Sequence, residues 1–338
     1  MTEKQHEMLG NAVRTLQKKT ELLRSEHPEI SWGATGVKNP PPELTGDPQL
    51  QPVCTEWSEM IEPEWSAARK IINEILAELP KPDRARLPKL GPDNLWIWGG
   101  PTPYWGGSLS DDTLIRGAEY FGIRNAFYMY GPTTEKMIAL HGGFDNLLCQ
   151  VNTLCRSGDQ IGTMTDVEMA ELVSRFSLKY PNIRGAICDD ATTHQKTIDP
   201  EPFRRRFEAL KKHNAALKMY GVAYAHELGS GKDFSCILPY TDGVNLWFWS
   251  MDEILEYDRY AALCHEKFPG KSVILGIFIH EYSRSDAGAF PELLVYQLDK
   301  ARESIAAGVL DGVIVMGDRE IRKWPETSRT VRDYLRNQ

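Results

Sequence analysis

The chain has 338 residues, of which 41% are hydrophobic, 25% charged and 10% aromatic, the make-up of a globular protein long enough for a large core. Its net charge of −8 argues against nucleic acid or an anionic membrane surface as a partner, since either calls for a basic face. No run of about 18 apolar residues occurs, so no membrane span is expected.

Residues 1–92 form a region of their own. A helix-like segment near 7–25 is followed by the proline-rich stretch "NPPPELTGDPQLQP" (39–52), an amphipathic segment "EPEWSAARKIINEILAEL" (62–79) and then "PKPDRARLPKLGP". Proline fixes φ and removes a backbone donor, so both proline-rich stretches read as extended connections. The region is expected to be a helical extension packed on the rest of the chain or on a second subunit, which would make it a surface for homo-oligomer assembly. The N-terminus is polar and lacks the apolar stretch of a secretory signal. The six cysteines (Cys54, Cys149, Cys155, Cys188, Cys236, Cys264) make no C-x-x-C pair, and Cys149 and Cys188 lie inside apolar runs. Reduced, buried thiols and a cytoplasmic location are the expectation.

From residue 95 onward one pattern repeats. Short apolar runs, rich in Val, Ile and aromatics, are "LWIWGG" (95–100), "RNAFYMYG" (124–131), "NLLCQVNT" (146–153) and "IRGAICDD" (183–190). The second half supplies "LKMYGVAYAHE" (217–227), "DGVNLWFWS" (242–250), "SVILGIFIHEYS" (272–283) and "DGVIVMGDRE" (311–320). Between them lie stretches of helical period, at 166–180, 200–214, 251–268 and 291–309, with a last one ending the chain. The segment after the fifth run, "KDFSCILPY", is a poor helix.

Alternating strand and helix implies a parallel sheet, and eight such units in roughly 250 residues match the size of a (β/α)8 barrel. An open, doubly wound sheet would place a glycine-rich phosphate turn after the first strand. Here that position reads "GGPTPYWGG" (99–107), with prolines and bulky aromatics where backbone access is needed. The expected fold is therefore α/β, a (β/α)8 TIM barrel over 93–338 preceded by a helical extension over 1–92.

In such barrels the loops that follow the strands build the active-site face. The fourth run ends in Asp189 and Asp190, the fifth in His226 and Glu227, the seventh in His280 and Glu281, and the eighth reaches Asp318. The third carries Gln150 and Asn152, and the sixth Asn245. Aspartate also caps helices and turns chains, and Glu281 or Asp318 could pair with nearby arginines. Acids recurring at strand ends that share one mouth nonetheless point to chemistry there. Strand alternation lets one of the two aspartates face inward; Asp190, at the very end, is the expected one. Glu227 precedes "LGSG", a loop composition suited to motion. His194, His226 and His280 lie close to these acids as substrate contacts, although a lone histidine is more often structural.

The aromatics supply a second signal. Trp98, Tyr104, Trp105, Tyr130 and Trp249 fall at or beyond strand ends, whereas Trp96 and Phe248 read as core. An indole presents an apolar face and a polar N–H, which suits the flat side of a sugar ring. Other chemistries lack their residues. The strand-run lysines, Lys218 and Lys271, sit at strand beginnings, too far from the mouth for a Schiff base. Neither a P-loop nor a G-x-S-x-G elbow occurs.

With Asp190 in "ICDDAT" and Glu281 in "IFIHEYS", the chain resembles the retaining glycoside hydrolases of TIM-barrel type, in which the acid/base often ends the fourth strand and the nucleophile the seventh. It departs from the Asn-Glu pair common at that fourth strand end. The resemblance implies cleavage of a small glycoside or oligosaccharide, with Asp190 as acid, Glu281 as nucleophile or base and Glu227 as the substitute for either. Trp98, Tyr104, Trp105, Tyr130, Asn152, Asp189, His194, His226, Trp249, His280 and Asp318 would bind substrate, with no cofactor. The alternative is a metal-dependent sugar isomerase, epimerase or lyase, its divalent ion held by Asp190, His226, Glu227, His280 and Asp318.

Overall fold

The computed structural model describes residues 2–26, 51–102, 108, 110–131, 133–151, 164–193, 195–277, 279–280, 289–317, 320–321 and 324–338, with side chains left aside at 20, 23, 24 and 51–61. Within the extension, α1 (Glu3–Glu26) buries Leu9, Val13 and Leu16, a stripe with the three- and four-residue spacing of one helix face. Helix α2 (Gln51–Glu78) buries Ala68, Ile72 and Ile75 in the same way, and the two helices pack on each other. Helix α2 begins earlier than its amphipathic pattern suggests and runs through Pro63, at the loss of one backbone hydrogen bond.

The barrel comprises β1 (Leu95–Gly99), β2 (Asn125–Tyr128), β3 (Asn146–Gln150), β4 (Ile183–Cys188), β5 (Lys218–Tyr224), β6 (Gly243–Trp247), β7 (Ser272–Ile277) and β8 (Gly312–Met316). Every neighbouring pair is parallel, and β1 pairs with β8 to close the ring. The intervening helices are α3 (Thr113–Phe121), α4 (Glu135–Leu140), α5 (Asp166–Phe176), α6 (Pro200–Lys211), α7 (Ala225–Gly229), α8 (Met251–Leu255), α9 (Tyr257–Lys267), α10 (Pro291–Ala306) and α11 (Pro325–Asn337). The eight-stranded barrel is thus as the repeat implies, and the N-terminus is helical as its own pattern suggests.

Local sequence explains where several helices begin. Thr165 and Glu168 form a reciprocal capping box at α5, and Asp199 caps α6 ahead of Pro200. One expected helix, 251–268, is instead two: α8 and α9 are separated at Glu256. "KDFSCILPY" forms a 3-10 turn over Ser235–Tyr240. The fifth strand stops at Tyr224, so His226 and Glu227 belong to the first turn of α7 rather than to the strand.

The barrel interior is filled by aromatic rings from several strands. Trp98 meets Trp247 edge-to-face at 5.5 Å between centroids, and Phe127 meets Tyr220 at 5.9 Å. Glycine on neighbouring strands makes the room: a Cβ at Gly276 would lie 2.0 Å from the Trp247 ring, and one at Gly243 would lie 2.3 Å from Tyr220. Phe248, one residue past the inward Trp247, packs outward against Tyr257 and Tyr260, as strand alternation requires.

The extension is tied to the barrel by charge as well as by packing. Helix α1 lies against α8 and α2 against α10. Arg302 of α10, 1% exposed, donates to the carbonyls of Arg84, Leu87 and Pro88 and to the Tyr334 hydroxyl. Arg84 in turn grips Asp299 through two 2.8 Å bonds, and Tyr334 donates to the same carboxylate at 2.7 Å. One guanidinium thus donates to three part-buried carbonyls of the connection. Among the described residues no helix is long and apolar enough to cross a membrane. Cys149, Cys188, Cys236 and Cys264 are free thiols, and burial pushes those of Cys149, Cys188 and Cys264 up to about 12.

Candidate functional site

The mouth is best built outward from the end of β4. Ile187 pairs with Tyr220, whose ring meets Phe127 inside the barrel, so Asp189, two residues on, continues the inward register and is 5% exposed. Alternation alone would then send Asp190 away from the barrel, the reverse of the expected choice. It does not, because Asp190 takes a left-handed conformation (φ 49°) just past the strand. That conformation is costly for a residue with a Cβ and is tolerated more readily by Asp than by most. It brings the Asp190 carboxylate to Tyr224, whose hydroxyl donates to Oδ1 at 2.5 Å. The Thr193 hydroxyl donates to the same oxygen at 3.4 Å.

Tyr224 went unnoticed in the sequence, although the register Tyr220, Val222, Tyr224 was there to read. Burial, then the charges of Asp189 and Asp190, hold its phenol well above the ordinary value, so Tyr224 remains a proton donor at any physiological pH. Its ring is packed by two groups from adjoining loops. His226 stacks on it at 5.5 Å between centroids, and Trp249 meets it edge-on at 4.8 Å.

A second left-handed residue, Tyr130 (φ 66°), follows β2. Its backbone N–H donates to Gln150 Oε1 at 2.5 Å, while Thr133 donates to the Gln150 carbonyl at 2.8 Å, so the end of β3 props this turn. The Tyr130 hydroxyl accepts the indole N–H of Trp98 at 2.6 Å. Two strained residues at the ends of β2 and β4 are the kind of feature that accumulates at functional sites.

The expected acids fare differently. Glu227, 3% exposed, is salt-bridged to Lys232 at 2.5 Å and accepts the Thr192 hydroxyl and the Tyr224 backbone N–H. Lys232 also donates to the Thr192 carbonyl at 2.8 Å. These contacts tie Glu227 into the loop after β5; its "LGSG" context gave no sign of the lysine five residues on. His280, 3% exposed, stacks on Trp324 at 4.1 Å and nearly parallel. Glu281, Asp318, Tyr104, Trp105, Asn152 and His194 lie outside the described residues. The structure therefore brings Asp189, Asp190, Tyr130, His226 and Trp249 close to Tyr224, and Trp98 joins them only through its bond to Tyr130. Among the described residues no three His, Cys, Asp or Glu side chains come together so as to hold a metal ion.

A further carboxyl sits beside the mouth. Glu253 of α8 accepts the backbone N–H groups of Trp249 (2.6 Å) and Ser250 (3.3 Å) through Oε2. Its Oε1 lies 3.9 Å from His226 Nδ1. Burial pushes this carboxyl up to about 7 against the pull of the two backbone donors, and burial lowers His226. Ser250 and Glu253 form a capping box at the start of α8. A cleft of about 310 Å³ opens here, lined by His226, Trp249, Ser250, Asp252 and Glu253 on the barrel side and by Gly10, Val13, Arg14 and Gln17 of α1.

No family model matches the chain, and no curated protein matches it. Among solved structures it is similar to a β-glucuronidase from an uncultured Clostridium species, with 11% identity, a TM-score of 0.48, and coverage of 75% of this chain and 53% of that one. It is similar also to a GH18 chitinase from Pseudoalteromonas aurantia, with 12% identity, a TM-score of 0.46, and coverage of 72% and 100%. A GH2 β-galacturonidase from Eisenbergiella tayi bound to galacturonate gives 11% identity, a TM-score of 0.48, and coverage of 75% and 54%. The matched region thus spans about half the length of the glucuronidase and the galacturonidase.

Proposed function

We propose that the barrel mouth hydrolyses a glycosidic bond in a small carbohydrate. Asp190 would donate a proton to the leaving oxygen as the C–O bond breaks, and Glu281, from the end of the seventh run, would attack the anomeric carbon or activate water. The observation that carries the reading is Asp190 itself: an acid held in a strained left-handed turn at a strand end, with its Oδ1 fixed by Tyr224. Strain of this kind persists where surrounding contacts over-determine it, and orientation of one carboxylate oxygen leaves the other to exchange the proton. Trp249, half-buried beside Tyr224, supports a sugar as ligand through its aromatic face. Retention or inversion would follow from the separation of the two carboxyls, about 5 Å for the former and about 6.5–9.5 Å for the latter.

A panel of p-nitrophenyl glycosides tests the reading. At least one should be hydrolysed, and Asp190→Asn should lower kcat by about 10²–10⁴-fold, the usual worth of a positioned acid or base, with the circular dichroism spectrum unchanged. Hydrolysis of none of them, or an Asp190→Asn enzyme that turns over like the wild type, overturns it.

A further inference from the structure

The cleft between α1 and the barrel is not needed to explain the proton chemistry at Asp190, yet it adjoins that site. Its two walls come from distant parts of the chain, residues 10–17 and residues 226–253. Trp249 belongs to both places: its ring packs on Tyr224, which holds Asp190, and it also lines the cleft. At about 310 Å³ the cleft falls at the lower end of small-ligand pockets, roughly 300–1,000 Å³.

The chemistry of the lining selects the ligand class. Arg14 and Gln17 on α1 offer donors, Asp252 and Glu253 acceptors, and Trp249 and His226 aromatic faces. One cation opposite two carboxyl groups gives no net attraction for an anion. A mixture of donors and acceptors around flat apolar faces suits a neutral, polyhydroxylated ring. Glu253 holds the Trp249 backbone N–H at 2.6 Å, and Tyr224 and His226 pack edge-on against its ring, so the aromatic wall is set before any ligand arrives.

We infer that α1 supplies one wall of a second saccharide subsite, in which Arg14 and Gln17 of the N-terminal helix and Trp249 of the barrel bind the sugar unit next to the one held at Asp190. The inference rests on the glycosidase reading for the second sugar's identity as a neighbour, but not for the existence of the site. The extension is then part of substrate recognition as well as of the scaffold.

The test uses the full chain and calorimetric titration with maltose, cellobiose, lactose and N,N′-diacetylchitobiose. At least one should bind, and Arg14→Ala, Gln17→Ala and Trp249→Ala should each weaken it about tenfold, while Lys136→Ala on the distant α4 leaves it unaltered. Arg14 is solvent-exposed, so its replacement leaves the fold intact, as circular dichroism will verify. Absence of binding by all four sugars, or binding to Arg14→Ala and Gln17→Ala at wild-type strength, overturns the subsite. Binding that depends on Arg14, together with no hydrolysis of any glycoside, sustains the subsite and removes the glycosidase reading. Asp190-dependent hydrolysis with binding indifferent to Arg14, Gln17 and Trp249 does the reverse.

Discussion

Replacing Glu253 by Gln makes the clearest physical test of the mouth's electrostatics. Glu253 is buried, its side chain 9% exposed, and titrates in the fold near 7 against a usual 4.5. The charged groups around it are Asp252 and Glu256 from its own stretch of chain, His226 from α7 and Arg14 from α1. A carboxyl whose folded value is raised holds its proton in the native state after the unfolded chain has lost it. Its contribution to stability is therefore full below about pH 4.5 and is lost as pH climbs toward 7, after which the loss is constant. Between pH 5 and pH 8 the wild type should lose roughly 2–3 kcal/mol from this group alone, at 1.36 kcal/mol per pKa unit. Glutamine keeps an acceptor for the Trp249 and Ser250 N–H groups and cannot ionise. The stability difference between Glu253→Gln and wild type should thus move in the variant's favour by that amount across the interval. Urea denaturation of both proteins at pH 5, 6, 7 and 8 measures it. Parallel pH profiles for the two proteins would refute the argument, because they would mean that Glu253 is solvated like any surface glutamate.

Other perturbations probe the scaffold. Lys232→Ala strips the partner from a carboxylate that is 3% exposed and should destabilise the fold by about 3–5 kcal/mol, whereas Lys232→Met together with Glu227→Leu should restore much of it; denaturant midpoints decide. Gly276→Ala drives a Cβ into the Trp247 ring and should cost about 1–3 kcal/mol, while Gly221→Ala, with open space at its Cβ, should be neutral or stabilise by about 0.4–1 kcal/mol. Thermal melts of the pair give opposite signs if the interior is packed as described. Arg302→Ala removes the guanidinium from the carbonyls of Arg84, Leu87 and Pro88, of which Arg84 keeps the Leu87 N–H, and should lower stability by about 3 kcal/mol; a loss below 1 kcal/mol would mean that the clasp is dispensable. Tyr224→Phe removes the bond that orients Asp190 and should cut kcat about tenfold or more with little change in KM, a split that a merely structural role would not produce.

The sequence by itself determined the architecture. Eight apolar runs alternating with helical periods leave a closed parallel ring as the natural burial of so much β-branched and aromatic surface, and residues 95–316 form one. Strand alternation was enough to separate Trp247 from Phe248. Capping pairs such as Thr165 and Glu168 are local in the same way, because they act over three residues. What only the tertiary structure decided is everything that acts across the chain. The left-handed turn at Asp190 reversed the choice that alternation makes between two aspartates, and a tyrosine 34 positions away holds the result. A lysine in the loop after β5 pairs with Glu227. Glu253 caps α8 locally, but burial and the approach of α1, more than two hundred residues earlier in the chain, also set it beside a cleft. Periodicity is a property of neighbours in sequence, whereas desolvation and charge pairing depend on which surfaces meet, and no local pattern records that.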